Sequence, residues 1–410
     1  MKKMVKMAGA VWFLLFISGC ALHQSPPAQL ISPPSKGEKQ YSLQRVIEEH
    51  VPSNTPLMAP RKGDNQQTIF QKDLNDDGKE EAIVLYKESE YLSYFHLVVF
   101  SFDSTWEPIV KTQIEGDELD YLTFVSQSNT PPLLLIGATQ GENQSNQLRL
   151  YYLEGNALQQ IDSKEYTNLV LMDVTEDNRK DMTLITLKRL EAANVKLYEF
   201  NGTNKLKYNS KLDIDPYVNA YYNVAAGRVS KHKKGIWLDS QVGAHSGMSD
   251  LIVYEEGKLV RVFQDDPISS PYPVESRDIN KDGILEVGTK VSPPGQETSM
   301  VATPWIDLYK QWDGETGLND IQRNYYHGDF VIQFPDEWGE DVQINSEESQ
   351  VSITSLEGET LFEVKWQDAS SYEPTKSYQV LAKTEKYVYE IPDGLGSVRN
   401  VFQLWVEQLS

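Results

Sequence analysis

Oxygen-bearing side chains recur at every second position of the stretch Asp73–Glu81, DLNDDGKEE. Asp73, Asn75 and Asp77 alternate, Gly78 follows, and Glu81 closes the run. Alternate residues of a tight loop point at one centre, and these side chains with the Lys79 carbonyl make a hard-oxygen set suited to Ca²⁺. Gly78 permits the sharp turn such a loop needs. The arrangement returns at Asp278–Glu286, DINKDGILE: Asp278, Asn280, Asp282, the Ile284 carbonyl and Glu286, with Gly283 at the turn. A third copy, Asp173–Asp181, DVTEDNRKD, departs from it. Thr175 replaces the Asn, Asn178 replaces the Gly, and Arg179 and Lys180 place two cations inside the loop. Asp173, Thr175, Asp177, the Arg179 carbonyl and Asp181 are therefore a weaker set, although Asn178 tolerates the positive φ of the turn. Structural Ca²⁺ is the expectation for the first and last loops. A solvated acidic turn without metal is the alternative reading of each.

Other residues suggest less. The histidines are His23, His50, His96, His232, His245 and His327, and no pair has zinc-ligand spacing. The run Gly243-Ala244-His245-Ser246-Gly247 has His245 where a nucleophile elbow needs serine, so it reads as a glycine-rich inter-strand loop. Gly243, His245 and Gly247 remain a weak ligand-binding candidate. Carboxylates crowd at 115–121, EGDELDY, but a glycosidase needs two at a defined separation in a cleft. Tyr91, Tyr94, Tyr217, Tyr221 and Tyr222 suit either sheet packing or stacking on a sugar or a protein. No catalytic residue is assigned.

The segments that must hold the acidic loops repeat. Strands following the loops start at Ala82, Met182 and Val287, and two more fit midway, at Leu133 and Ile236, giving intervals of 51, 49, 54 and 51 residues. Tight turns at Phe102-Asp103-Ser104, Leu153-Glu154-Gly155, Phe200-Asn201-Gly202, Glu255-Glu256-Gly257 and Trp312-Asp313-Gly314 are spaced by 51, 47, 55 and 57 residues. Repeats of about 40–50 residues with three or four strands suit propeller blades, which must stack to bury their faces. The expectation is a mainly β fold: a propeller-like array of about five blades over residues 61–322, then a compact α+β domain over 323–410. A short helix with Leu43, Val46 and Ile47 on one face is expected within the lead-in 41–60, capping the next domain. The last residues place Val398, Val401, Phe402, Trp405 and Leu409 at helical spacing.

Acidic loops of this form, each leading into a strand, resemble the FG-GAP or VCBS-type repeats of integrin-α-like propellers. The phrase from His50 to Tyr86, and the FP-x-x-W and LFEV phrases of the C-terminal segment, are similar to uncharacterised lipoproteins of Firmicutes with such repeats. The resemblance covers about two thirds of the chain. It implies an envelope location and leaves activity open.

The N-terminus agrees with that address. Lys2, Lys3 and Lys6 precede the apolar run AGAVWFLLFI, too short for a comfortable membrane span, and Ser18-Gly19-Cys20 follows. This resembles a lipobox with cleavage before Cys20, which implies a diacylglycerol thioether on Cys20 and an acylated amine. Cys20 is the sole cysteine, so no internal disulfide forms. Residues 1–19 are then a signal peptide and 20–40 a Pro-rich tether. Cleavage takes the net charge from −22 to −25, which disfavours nucleic acid and anionic surfaces as partners. The expected function is that of a lipid-anchored, extracytoplasmic, non-enzymatic lipoprotein that binds an envelope protein or polysaccharide, or assists envelope assembly. The alternative is an envelope hydrolase acting on a glycan or phosphoester through an acidic cleft. Cys20→Ala should move the protein from the membrane to the soluble fraction of fractionated cells, and unchanged membrane association would refute the anchor.

Overall fold

The computed structural model describes residues 38–404, apart from 64, 128–129, 142–145 and 203–204. The signal segment, Cys20 and the tether up to residue 37 lie outside the described residues, as do Trp405 and Leu409. The chain is mainly β. Six antiparallel sheets of four or five strands follow one another along it.

A single α-helix among the described residues, α1 (Glu38–His50), leads in. The first sheet contains β1 (Ile69–Lys72), β2 (Glu81–Tyr86), β3 (Tyr94–Phe102) and β4 (Trp106–Glu115). The second contains β5 (Glu118–Gln127), β6 (Thr130–Thr139), β7 (Asn146–Glu154) and β8 (Ala157–Tyr166). The third contains β9 (Asn168–Met172), β10 (Asp181–Lys188), β11 (Ala192–Phe200) and β12 (Leu206–Ile214). The fourth contains β13 (Ala220–Arg228), β14 (Lys234–Val242), β15 (Ser246–Glu255), β16 (Lys258–Arg261) and β17 (Ile268–Ser270). The fifth contains β18 (Val287–Val291), β19 (Ile306–Trp312), β20 (Leu318–His327) and β21 (Phe330–Phe334). The sixth contains β22 (Val342–Glu347), β23 (Gln350–Ser355), β24 (Thr360–Asp368), β25 (Tyr378–Lys383) and β26 (Tyr387–Pro392). The last described strand, β27 (Phe402–Leu404), returns to β21 in the fifth sheet.

The sheets stack in chain order because their inner strands are apolar on both faces. In β2, EAIVLY, every residue is buried. Alternate residues of a strand face opposite ways. Ala82, Val84 and Tyr86 accordingly pack with Leu43 and Ile47 of α1, while Ile83 and Leu85 pack with Leu134 and Ile136 of the second sheet. In β6, Leu133 and Leu135 turn to Met182 and Leu184 of the third sheet. Ile185 and Val195 then meet Ile236 and Ile252 of the fourth, and Trp237 and Val253 meet Val287 and Trp312 of the fifth. The sixth sheet closes the series, with Ile344, Phe362 and Tyr389 against Ile306, Phe330 and Ile332. The outer face of the first sheet is thus taken by α1, as its apolar stripe predicts, and the described sheets form no closed barrel or ring.

All five predicted turns join consecutive strands; the expected starts at Ala82, Leu133, Met182 and Ile236 fall in the second strand of their sheets, and Val287 opens β18, the first strand of the fifth. Three expectations need correction. The boundary at 322/323 cuts β20, which pairs with β21 across it. The described part of the C-terminal segment is a sheet with two 3-10 helices, Asp336–Trp338 and Asp393–Val401, rather than an α+β unit. The expected terminal helix also gives way. Gly394 and Gly396 weaken an α-helix over this stretch, and pairing Phe402 with Ile332 covers the otherwise open edge of β21.

His327 lies at the junction of the last two sheets, its ring 4.9 Å from Phe330 and 5.0 Å from Trp366. Burial lowers its pKa below the usual 6.5, so the folded chain binds fewer protons there than the unfolded chain. This contribution to stability is full above pH 6.5 and is lost as pH falls through the folded pKa. Urea unfolding between about pH 7.5 and about pH 5.5 should show a loss in the wild type that His327→Gln lacks; parallel losses in both would exclude the assignment.

Candidate metal loops

The three acidic stretches are hairpin loops at equivalent places. Residues 73–81 join β1 to β2, 173–181 join β9 to β10, and 278–286 join Arg277 to β18. The closing acid always pairs with the residue before the first Asp: Glu81 with Lys72, Asp181 with Met172, Glu286 with Arg277. The backbone repeats too. The fourth position has positive φ in each, at Asp76 (62°), Glu176 (61°) and Lys281 (63°), and so does the sixth, at Gly78 (83°), Asn178 (66°) and Gly283 (85°). The turn therefore survives the exchange of Gly for Asn in the middle copy.

Hydrogen bonds explain why acids and amides are needed at alternate positions. Asp73 accepts the amide N–H of Asp76 at 2.7 Å and of Gly78 at 2.9 Å. Asn75 Oδ1 accepts from Asp77 N at 3.0 Å, and Asp77 Oδ1 from Lys79 N at 2.8 Å. In the last loop Asp278, Asn280 and Asp282 make the same bonds to Gly283, Asp282 and Ile284 at 2.9, 3.0 and 2.8 Å. The closing carboxylate is turned inward. Glu81 and Glu286 are fully buried, and each accepts a backbone N–H, from Leu74 at 2.8 Å and Ile279 at 3.0 Å. Burial raises the pKa of Glu81 and pushes Glu286 up to about 6.

The loops differ in how their charge is met. Asp73, Asp77 and Glu81, and likewise Asp278, Asp282 and Glu286, have no Lys or Arg within ion-pair distance among the described residues. Their nearest donors are neutral. Asn75 Nδ2 donates to Asp77 at 3.3 Å, Asn280 Nδ2 to Asp282 at 3.1 Å, and Gln311 to Glu286 at 3.1 Å. In the middle loop the protein supplies its own cations. Lys234 Nζ lies 2.7 Å from Asp173, and Arg179 Nε donates to Asp177 at 2.9 Å, which holds the Asp177 carboxyl below its usual range. Thr175 turns its hydroxyl to Asp181 at 3.0 Å. Among the described residues no three His, Cys, Asp or Glu side chains are already gathered as a metal cage.

The weaker candidates separate. Gly243 and His245 lie in the exposed turn between β14 and β15, while Gly247 is buried within β15 opposite Gln241. His245 touches the Tyr272 ring at 6.1 Å, and Asp250 is paired with Arg261 at 2.6 Å. The acids of 115–121 each have a partner of their own: Glu115 with Arg149, Asp117 with the Gly141 N–H, Glu118 with Arg61, and Asp120 with Lys62 and the Tyr166 hydroxyl. Tyr91 and Tyr217 are exposed, whereas Tyr221 and Tyr222 are partly buried in sheet packing. Residue spacing gave no sign of the buried node at Asp239, which accepts from Ser249 at 2.6 Å, from the Ser276 hydroxyl and N–H at 2.7 Å each, and from Asn223 at 2.7 Å. Its partners come from segments far apart in the chain.

No family model matches the chain, and no curated protein matches it. Solved structures give distant likenesses. A rhamnogalacturonan lyase of Bacillus licheniformis is 14% identical with a TM-score of 0.34; 76% of this chain is covered, and the chain spans 60% of that protein's length. A protein from Lactobacillus plantarum is 11% identical with a TM-score of 0.30, covering 74% of this chain and 93% of that one. TolB from Acinetobacter baumannii is 10% identical with a TM-score of 0.26, covering 77% and 65%. Likenesses at these scores assign neither fold family nor function. No helix among the described residues is long and apolar enough to cross a membrane.

Lys234 and Arg179 meet two carboxylates of the middle loop in very different surroundings: the Lys234 side chain is 34% exposed against a 14% exposed Asp173, whereas Arg179 is 59% exposed against a 32% exposed Asp177. Lys234→Ala should cost about 1–2 kcal/mol in urea unfolding, because it strands a largely buried carboxylate. Arg179→Ala should cost less, because solvent already screens that exposed pair. Equal losses would mean that burial does not set the need for a cation.

Proposed function

We propose that this chain is a lipid-anchored extracytoplasmic lipoprotein whose propeller-like array of sheets is braced by Ca²⁺ and serves as a non-enzymatic binding or envelope-assembly module. Each of the first five sheets acts as one blade, and the array is open, ended by α1 and the sixth sheet. Lipidation at Cys20 tethers it through the Pro-rich stretch that precedes α1, and the resemblance to FG-GAP or VCBS repeats gives the blade reading.

One observation carries the Ca²⁺ part. Where the loop sequence departs from the repeated form, Lys234 and Arg179 sit on its aspartates; where the form is kept, three carboxylates have no cation. The oxygen sets Asp73, Asn75, Asp77, Lys79 carbonyl and Glu81, and Asp278, Asn280, Asp282, Ile284 carbonyl and Glu286, match a hard divalent ion. The side chains of a loop would close in on the ion as it binds. Its role is to hold the hairpin that joins the outer strand of a blade to the buried one.

Titration calorimetry on the full chain should find two Ca²⁺ sites, and Glu81→Gln with Glu286→Gln should abolish them. Ca²⁺ at about a hundredfold excess over Kd adds about 2.7 kcal/mol of stability, so EDTA should lower the melting temperature. No heat of binding and an unchanged melting temperature would reject the brace. Cross-linking on intact cells should capture an envelope protein or glycan; turnover of an offered glycan or phosphoester would instead favour the hydrolase reading.

A further inference from the structure

Arg277 is a partly buried cation that no carboxylate contacts among the described residues. Among the guanidiniums set between sheets or strands, Arg149 reaches Glu115 at 3.4 Å and Arg261 reaches Asp250 at 2.6 Å. Arg277 is only partly exposed, yet it makes no ion pair among the described residues, in a chain with 60 acids against 38 bases. Its Nη2 donates instead to two phenol oxygens, Tyr309 and Tyr326, each at 2.9 Å. Its guanidinium carbon lies 5.4 Å from the centre of the Tyr309 ring. Its Nε is buried and has no acceptor.

These groups line a cavity of about 430 Å³, within the size range of small-molecule sites. Lys290 and Asp307, register partners on β18 and β19, line it too and neutralise each other. Glu275 stands exposed on the lining. The Arg277 charge is therefore the one left inside the cavity without a countercharge in contact. A guanidinium held on an aromatic face by two hydroxyls is fixed before any ligand arrives, which lowers the ordering cost of binding. Both Nη2 hydrogens are taken by the phenols and Nε is buried, so the Nη1 hydrogens remain to donate to an oxyanion. The Tyr309 hydroxyl and the paired Asp307 suit sugar hydroxyls beside it.

We propose that this cavity binds the carboxylate or phosphate of an acidic sugar, with Arg277 as the anion-binding residue and Tyr309 and Tyr326 as positioning residues. The site goes beyond the calcium-braced reading and stands without it, since none of its side chains belongs to the acidic loops.

The test is calorimetric titration of the full chain with glucuronate, glucose 6-phosphate and glucose. Saturable binding of either anion with none of glucose is expected, and which anion binds tells carboxylate from phosphate. Arg277→Lys keeps the charge but loses the planar guanidinium that the two phenols hold in place, and should weaken binding by about tenfold or more. Arg277→Gln should abolish it. Tyr326→Phe, which leaves the cation in place, should give a smaller loss and covers the case in which Arg277→Gln does not fold. Absence of saturable binding by both anions, equal binding of glucose, or wild-type affinity in Arg277→Lys would each overturn the proposal.

Discussion

A strand that is apolar on both faces cannot end a stack. The run from Ala82 to Tyr86 is buried throughout, so the first sheet needs a cover on each side, and the requirement passes to every sheet that supplies a cover. Burial of apolar area at about 25 cal/mol per Å² drives this, and each interface is extensive enough to exclude water from Leu, Ile and Val on both partners. The series ends only where an element has one apolar face and one polar face. At one end that element is α1, with Leu43 and Ile47 inward and Arg45, Glu48 and Glu49 outward. At the other it is the sixth sheet, whose β22 and β23 alternate buried and exposed or half-buried residues.

Charge is organised around the same frame. The acidic hairpins turn their closing carboxylates, Glu81, Asp181 and Glu286, to the buried end of the second strand, where solvent cannot screen them. Neutral donors or, in the proposed reading, a metal ion must then supply what water would. Asp239 shows the fully closed solution, a carboxylate enclosed by serine, asparagine and backbone donors. Arg277 shows the opposite case, a cation fixed by phenols and left open to a cavity.

Most of the array was legible because its signals are local. A run such as LLLIG followed about twenty residues later by Leu153-Glu154-Gly155 announces a strand and a turn from neighbours alone. The acidic spacing likewise encodes a backbone path, since each Asp or Asn bonds to an N–H only two to five residues ahead. The spacing puts the loops at the start of each unit, whereas 73–81 and 173–181 join the first strand of a sheet to the second. The short first strands, four residues in β1, carry too little apolar pattern to be seen. Helical spacing at Val398, Val401 and Phe402 misled because β27 buries Phe402 through long-range pairing that no local period records. The Arg277 cavity was invisible for the same reason, since its walls come from four separate segments.

The return of β27 to β21 has a consequence for how the chain is completed during synthesis. The first four sheets use only contiguous segments, so each can form as soon as its own residues emerge. The fifth sheet cannot: its last strand is 68 residues beyond Phe334, with the whole of the sixth sheet in between. Sheets five and six are therefore tied into one late unit, and a chain cut anywhere between them leaves the edge of β21 open. That exposed edge, flanked by Phe330 and Ile332, is a template for pairing with another chain. The C-terminal strand thus works as a safeguard against association as well as a piece of the sheet.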